Sequence, residues 1–132
     1  MPSSAAAARK AFAAMKADRD VLTSNWKKEF PDDDTYLPWV DRTVAQGEAV
    51  VALADGSTDE GLKLLRKAAE AEKALPPPFG PPLIEKPSYE MLGDELLALG
   101  RKQEAADAYR EALAAAPNRR LSMLGLRAAT AP

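Results

Sequence analysis

The feature that most constrains the fold is a pattern of large, small and helix-ending residues between positions 86 and 117. Three large side chains recur at the spacing of one helix face: Tyr89, Leu92 and Leu96. Gly93 leaves room on that helix for the close approach of a second one, and Gly100 can end the helix in a left-handed conformation. The pattern therefore predicts a helix that ends near position 100 and packs closely against a neighbour.

A second helix is predicted directly after Gly100, because small and large residues again recur on one face. Ala105, Tyr109 and Ala112 follow one another at helical spacing. This alternation of small and large residues lets the ridges of one helix enter the grooves of another. Pro117 cannot continue a helix, because it lacks a backbone N–H and its ring clashes with the preceding turn. The segment is therefore typical of a helix, a tight turn, a helix and a stop.

The combined spacing resembles a tetratricopeptide repeat (TPR), a family of stacked helical hairpins that act as binding surfaces. The resemblance covers residues 86–119 and depends on nine positions: Tyr89, Leu92, Gly93, Leu96, Gly100, Ala105, Tyr109, Ala112 and Pro117. Family members usually carry Trp at the position of Tyr89 and an aromatic residue at that of Leu96. Both departures are conservative. Residues 86–117 are called the strong hairpin below.

A second, degenerate copy of the repeat is predicted over residues 42–75. Its second helix aligns well with that of the strong hairpin, through Gly56, Gly61, Leu65 and Ala68. Its first helix aligns poorly, because Ala45, Glu48 and Ala49 stand where the strong hairpin has Tyr89, Leu92 and Gly93. The order of the segments also resembles the C-terminal part of larger bacterial repeat proteins. The chain is then either a stand-alone module or a fragment of a longer one.

The resemblance implies an all-α fold, in which antiparallel hairpins stack as a short TPR-like α-solenoid of five to six helices. We predict that residues 1–132 form a single domain with five segments. These are an N-terminal helix (1–30), a degenerate hairpin (36–75), a proline-rich crossover (76–85), the strong hairpin (86–117) and a C-terminal capping helix (118–130). Capping residues predict four helix starts: Ser3 or Ser4, Asp34 or Thr35, the capping box at 57–60, and Asn118.

Composition argues against catalysis and against a metal or cofactor site. The chain has no cysteine and no histidine, so thiolate chemistry, the commonest general base and the commonest metal ligand are missing. The sequence shows no pairing of nucleophile with base and no phosphate-binding glycine loop. The three aspartates at 32–34 lack the spacing of a calcium loop, which favours helix capping and solvation. We expect a protein that is not an enzyme and that needs no cofactor.

Charge and hydropathy argue against nucleic-acid and membrane partners. The net charge is −2, and no apolar stretch approaches the roughly 18 residues of a membrane span. We expect a soluble protein, cytoplasmic by default, and periplasmic or secreted if it is a fragment that lacks its signal peptide. Residues 1–30 carry six basic and three acidic side chains, whereas residues 31–60 carry one basic and eight acidic ones. This contrast favours antiparallel packing of the first two helices, with a negative patch for a cationic partner as the alternative.

The resemblance also implies a ligand groove on the concave face, formed by the first helices of successive hairpins. Its predicted lining is Gln46, Val50, Leu53, Glu90, Asp94, Leu97, Arg119 and Ser122. Chaperone-binding family members hold a peptide carboxylate with basic residues at such positions. Here Glu90 and Asp94 stand instead, so the groove is predicted to suit a basic peptide by charge complementarity. The alternative for each of these residues is an ordinary solvated helix face.

Two aromatic residues are candidate anchors for a partner. Trp39 lies off the apolar stripe of its helix, so it either contacts a partner or packs against the first helix. Phe79 lies within the proline-rich crossover and either contacts a partner or covers the gap between hairpins. The sequence thus predicts a non-catalytic scaffold that binds a protein or peptide. The alternative is a self-associating segment or a fragment of a longer repeat protein, so a homo-oligomer is possible.

Overall fold

The computed structural model describes residues 3–77 and 85–132, and all regular secondary structure within these ranges is helical. Its six helices are α1 (Ser4–Glu29), α2 (Leu37–Ala54), α3 (Thr58–Lys73), α4 (Ser88–Ala98), α5 (Lys102–Ala115) and α6 (Arg120–Thr130). The prediction of an all-α fold with five to six packed helices is confirmed.

Two predicted helix starts, at Ser3 and at Ser57, are confirmed, and two differ. The Ser3 hydroxyl accepts a hydrogen bond of 3.1 Å from the amide of Ala6. Tyr36, and neither Asp34 nor Thr35, precedes α2, and Ser57 precedes α3 without a side-chain capping bond. Arg119 precedes α6 in place of Asn118. Its amide bonds to the carbonyl of Ala116 at 3.1 Å, which closes a turn across Pro117 and Asn118 and delays the helix start.

The turns within the two hairpins have the same backbone geometry. Gly56 and Gly100 have φ angles of 81° and 75°, a region that glycine adopts without steric cost. The residue after each glycine bonds back to the preceding helix: Ser57 N to Ala52 O at 2.9 Å, and Arg101 N to Leu96 O at 2.9 Å. This pattern is the Schellman helix end. Both hairpins thus contain the same type of turn, at the positions aligned from the sequence.

The helices form a linear stack in which each packs against the next along the chain. α4 also contacts α6, whereas the one extensive contact of α1 among the described residues is with α2. Gly47 of α2 faces Phe12 and Met15, while Ala49 is 0% exposed within the core. α1 and the core therefore lie on opposite sides of α2. α1 forms one end of the stack and α6 forms the other.

The core lies between α2, α3, α4, α5 and α6. Its largest apolar members are Leu65, Leu92, Leu96 and Tyr109, surrounded by buried alanines. The Tyr109 ring lies between two glycines, Gly93 of α4 and Gly125 of α6. A Cβ atom at Gly93 would meet the ring at 2.8 Å, and one at Gly125 would clash with it. The close approach of α4, α5 and α6 thus depends on these missing side chains.

α1 is held differently, since none of its residues is buried. Two ion pairs join it to α2: Arg9 with Asp55, and Arg19 with Asp41 at 2.9 Å. Arg9 near the start of α1 thus pairs with the residue directly after α2, and Arg19 farther along α1 pairs near the start of α2. The antiparallel packing predicted from charge is therefore confirmed. At the bend between the two helices, the Trp26 ring stacks on Tyr36 with the centroids 4.3 Å apart.

Candidate functional site

Glu90 is not an exposed groove residue, and the prediction that it faces a ligand is wrong. Its side chain is 0% exposed. Arg119 donates two hydrogen bonds to its carboxylate, from Nε at 2.6 Å and from Nη2 at 2.9 Å, and the Ser122 hydroxyl donates a third. The predicted groove residues Glu90, Arg119 and Ser122 therefore form a buried polar cluster that ties α4 to α6.

The cluster keeps Glu90 ionised. Burial by itself would raise the pKa of this carboxyl, because removal from water disfavours its charge. The hydrogen bonds from Arg119 and Ser122, together with the positive charge of Arg119, outweigh burial and hold the pKa below its ordinary value. The ion pair is complete within the chain, so Glu90 has no free charge to offer to a basic ligand.

Asp94 is also engaged within the chain. Its Oδ1 accepts a hydrogen bond of 2.6 Å from the Tyr109 hydroxyl, and its Oδ2 pairs with the Lys86 ammonium group. Burial raises the pKa of Tyr109, and the bond to Asp94 raises it further. Asp94 thus positions the central core aromatic. With Glu90 and Asp94 both compensated, the acidic groove predicted from the sequence is not present.

The other predicted groove positions separate into buried and exposed residues. Gln46 is 8% exposed, and its amide donates to Lys86 O and to Ser88 Oγ, both at 2.9 Å. It therefore holds the start of α4 against α2. Leu53 and Leu97 pack against the core. Of the apolar groove positions, Val50 alone is exposed, at 43%. The sequence pattern placed these residues on one helix face without showing which neighbouring helix covers it.

Trp39 is half-buried, and its contacts are with Arg42 of its own helix and with the chain after α3. Its indole N–H donates to the Pro76 carbonyl at 2.8 Å, and the Arg42 guanidinium lies 5.2 Å from the ring centroid. Trp39 thus packs on the chain that leaves α3. It also lines a surface hollow together with Tyr89, so its role as a partner anchor stays a prediction. The other predicted anchor, Phe79, lies outside the described residues.

An apolar depression on the surface follows the contact between α1 and α2. It consists of two adjoining hollows, and the larger has a volume of about 640 Å³. We call it the α1–α2 crevice and define it by its apolar lining: Ala8, Ala11, Phe12, Ala14, Met15 and Leu22 of α1, Val40, Val44, Gly47, Val50 and Val51 of α2, and Met91 of α4. Ala11, Ala14 and Val50 are exposed to solvent. The crevice can therefore accept apolar side chains from outside.

Polar groups at the crevice are mostly acidic. Arg19 donates hydrogen bonds of 2.9 Å to both Asp20 and Asp41, and these bonds, the one to Asp41 most of all, raise the pKa of the guanidinium. Asp18 and Glu85 also line the crevice, and Glu85 accepts a hydrogen bond from Arg42. Two arginines, Arg19 and Arg42, thus face four carboxylates, those of Asp18, Asp20, Asp41 and Glu85, which leaves an acidic surplus. This arrangement would attract a cationic rim around an apolar ligand.

The crevice was not found from the sequence, although a signal for it was present. Ala11 and Ala14 recur on one flank of α1 at helical spacing. In the sequence, this flank does not differ from an ordinary alanine-rich surface. Which side of α1 would border a hollow depends on how deeply α1 packs onto α2, and the spacing of residues does not determine that depth.

Among the described residues, no group of three or more carboxylates is placed to hold a metal ion. Within the same ranges, no helix combines the length and hydropathy needed to cross a bilayer. Comparisons with known protein families, with curated proteins and with solved structures gave no match to this chain. Its function must therefore be argued from the geometry of the crevice and of the stack.

Proposed function

We propose that this chain is a non-catalytic, TPR-like protein-binding module that holds a partner helix in the α1–α2 crevice. The observation that carries the proposal is the crevice itself. It is open, lined mainly by apolar side chains, and bordered by a helix that has no buried residue. Apolar depressions of this kind commonly receive the apolar face of an amphipathic helix.

The TPR-like part of the proposal is supported by the burial of equivalent positions in the two hairpins. Leu65 and Tyr109 are 0% and 1% exposed, and Ala68 and Ala112 are 4% and 3% exposed. The turns at Gly56 and Gly100 share one geometry. The aligned residues are therefore buried, or form the turn, in both hairpins. Repeats that stack in this way serve mainly as binding scaffolds.

The ligand proposed here differs from the basic peptide that the sequence alone suggested. Glu90 and Asp94 are neutralised by Arg119 and Lys86, so they provide no reason for a basic peptide to bind at α4. The crevice is lined mainly by apolar side chains, and its acidic groups lie at the edge. A helix with an apolar face and basic flanks meets both conditions.

Site-specific photo-crosslinking tests this proposal with a matched pair of positions. A photoreactive phenylalanine analogue replaces Ala14, which lines the crevice, or Ala13, which is exposed next to it and lies outside the crevice. We expect discrete protein adducts from position 14 in cells and none from position 13. Circular dichroism confirms that both variants are folded. Equal adduct patterns at the two positions, or no adduct at position 14, would count against the crevice as a binding surface.

A further inference from the structure

α6 presents an unpartnered apolar stripe at the far end of the stack. Leu121 and Leu124 are 57% and 47% exposed, and Ala128 continues the stripe at helical spacing. The opposite side of α6 is used internally, where Ser122 bonds to Glu90 and Gly125 contacts Tyr109. The exposed half of the stripe therefore has no partner among the described residues of one copy of the chain. It is a second apolar surface, separate from the crevice.

The charges on α6 complement those at the crevice. The helix contains Arg120 and Arg127, both exposed, and has no acidic residue. The crevice is bordered by Asp18 and by Glu85; Arg42 pairs with Glu85 and Arg19 pairs with two aspartates, so four carboxylates stand against two guanidinium groups. An apolar stripe with basic flanks thus matches an apolar crevice with an acidic edge. Rim pairs of this kind set orientation and partner choice more than affinity.

The dimensions also agree. At the rise of an α-helix, the stripe from Leu121 to Ala128 extends over about 10 Å. The crevice follows α1 from Ala8 to Leu22, which is about 21 Å on the same basis. The stripe can therefore lie entirely within the crevice. The two surfaces are at opposite ends of the stack, so a single copy does not bring them together.

We propose that the occupant of the crevice is α6 of a second copy of this chain, so that copies associate head to tail. This inference rests on the proposed function, because it names the partner helix for the same crevice. The contact is heterologous: each copy offers α6 to one neighbour and its crevice to another. Such contacts produce open chains or rings whose size increases with protein concentration. α1 of the second copy then covers α6 of the first and continues the stack.

Sedimentation velocity over a concentration series, from micromolar to near-millimolar, measures the association. We expect the average mass of the wild-type protein to rise with concentration. Leu124→Glu on the stripe and Ala14→Arg in the crevice should each weaken association on the order of tenfold or more, as loss of a central interface residue does. Each places a charge in the apolar contact and repels the like charge opposite it. Neither side chain is buried in one copy, so both variants should fold.

The chain provides a close control for each variant. Met123 is as exposed as Leu124, at 47%, but lies off the stripe. Ala13 is exposed beside Ala14 and lies outside the crevice. Met123→Glu and Ala13→Arg should change the association constant by no more than about twofold, as substitutions outside an interface centre do.

Mixing the two blocked variants tests the head-to-tail geometry directly. Leu124→Glu retains an intact crevice and Ala14→Arg retains an intact stripe, so an equimolar mixture should form a dimer and stop there. An interface that uses the same patch on both copies would not be restored by mixing. A wild-type protein that remains monomeric throughout, association unaffected by Leu124→Glu, or a mixture that remains monomeric would each overturn the proposal. Adducts to another protein from position 14, with a monomeric wild type, would retain the proposed function and remove this inference.

Discussion

The two ends of the helical stack are held by different means. At the C-terminal end, α4, α5 and α6 enclose Leu92, Leu96 and Tyr109, and a buried ion pair joins α4 to α6. At the N-terminal end, α1 is longer than any of these helices and has no buried residue. Close packing buries apolar side chains, whereas loose packing leaves them exposed to solvent. The crevice therefore borders α1, the helix that is packed loosely.

The difference originates in the side chains that fill each contact. Around Tyr109, glycines on two neighbouring helices admit a rigid ring whose hydroxyl is fixed by Asp94. Between α1 and α2, a single glycine, Gly47, faces Phe12 and Met15, and methionine adapts readily to irregular gaps. The packing around Tyr109 therefore requires closely matching shapes, whereas the packing between α1 and α2 tolerates small shifts of its side chains.

The largest expected effect follows the removal of Arg119 from the buried ion pair. Arg119→Ala leaves the Glu90 carboxylate buried without its cation, and breaking a buried pair in this way costs about 3 kcal/mol of unfolding free energy. Denaturant unfolding monitored by circular dichroism measures the loss. The control is Arg120→Ala at the exposed neighbouring position, which should change stability by less than about 0.5 kcal/mol. Equal effects at the two positions would show that the ion pair does not hold α4 to α6.

The second prediction concerns the glycine that admits Tyr109. Alanine normally stabilises a helix by about 1 kcal/mol relative to glycine, but Gly125→Ala places a methyl group against the Tyr109 ring. The ring cannot move aside, because Gly93 borders its other side and Asp94 holds its hydroxyl. We expect a net destabilisation of about 1–3 kcal/mol, typical of an overpacked core. A variant as stable as the wild type would mean that the C-terminal contact has unused space.

The third prediction is an acid-dependent loss of stability that originates at Glu90. Because the folded-state pKa of this group lies below its unfolded value, its contribution to stability is complete above the ordinary glutamate pKa of about 4.3. The contribution is lost as the pH falls through the lower folded-state pKa. Glu90→Gln lacks this titration, so the stability difference between wild type and variant should narrow during acid unfolding from about pH 6 to about pH 3. Parallel pH profiles would exclude Glu90 as the source.

The sequence was most informative where local chemistry determines structure. Gly100 and Pro117 end helices as their backbone preferences require, and the spacing of Ala105, Tyr109 and Ala112 identified a buried face. These features depend on residues a few positions apart. Local signals were therefore sufficient to predict five to six helices and the composition of the strong hairpin.

The candidate site could not be predicted in the same way. Glu90 and Arg119 are far apart in sequence, and their pairing depends on α6 folding back onto α4. The resemblance placed both residues in one groove but did not show that they neutralise each other. The shape of the crevice likewise depends on how closely α1 packs against α2. Both outcomes are set by packing between elements that are separated along the chain.

The smallest effect is expected at Gly47, which has the same role at the N-terminal end as Gly125 at the other. A Cβ atom at Gly47 would lie 3.0 Å from Phe12 Cδ2 and 3.1 Å from Met15 Sδ, so both side chains must shift slightly. The gain in helix propensity, about 1 kcal/mol, should offset most of that cost, leaving Gly47→Ala within about 0.5 kcal/mol of wild type.

Denaturant unfolding of Gly47→Ala beside Gly125→Ala compares the two ends with one substitution. If Gly47→Ala were as damaging as Gly125→Ala, α1 would be fixed as firmly as α6. The loose contact that leaves the crevice open would then not exist. A neutral result at Gly47 with a clear loss at Gly125 means that α1 can adjust against α2 without loss of stability. That adjustment is what a partner helix entering the crevice would require.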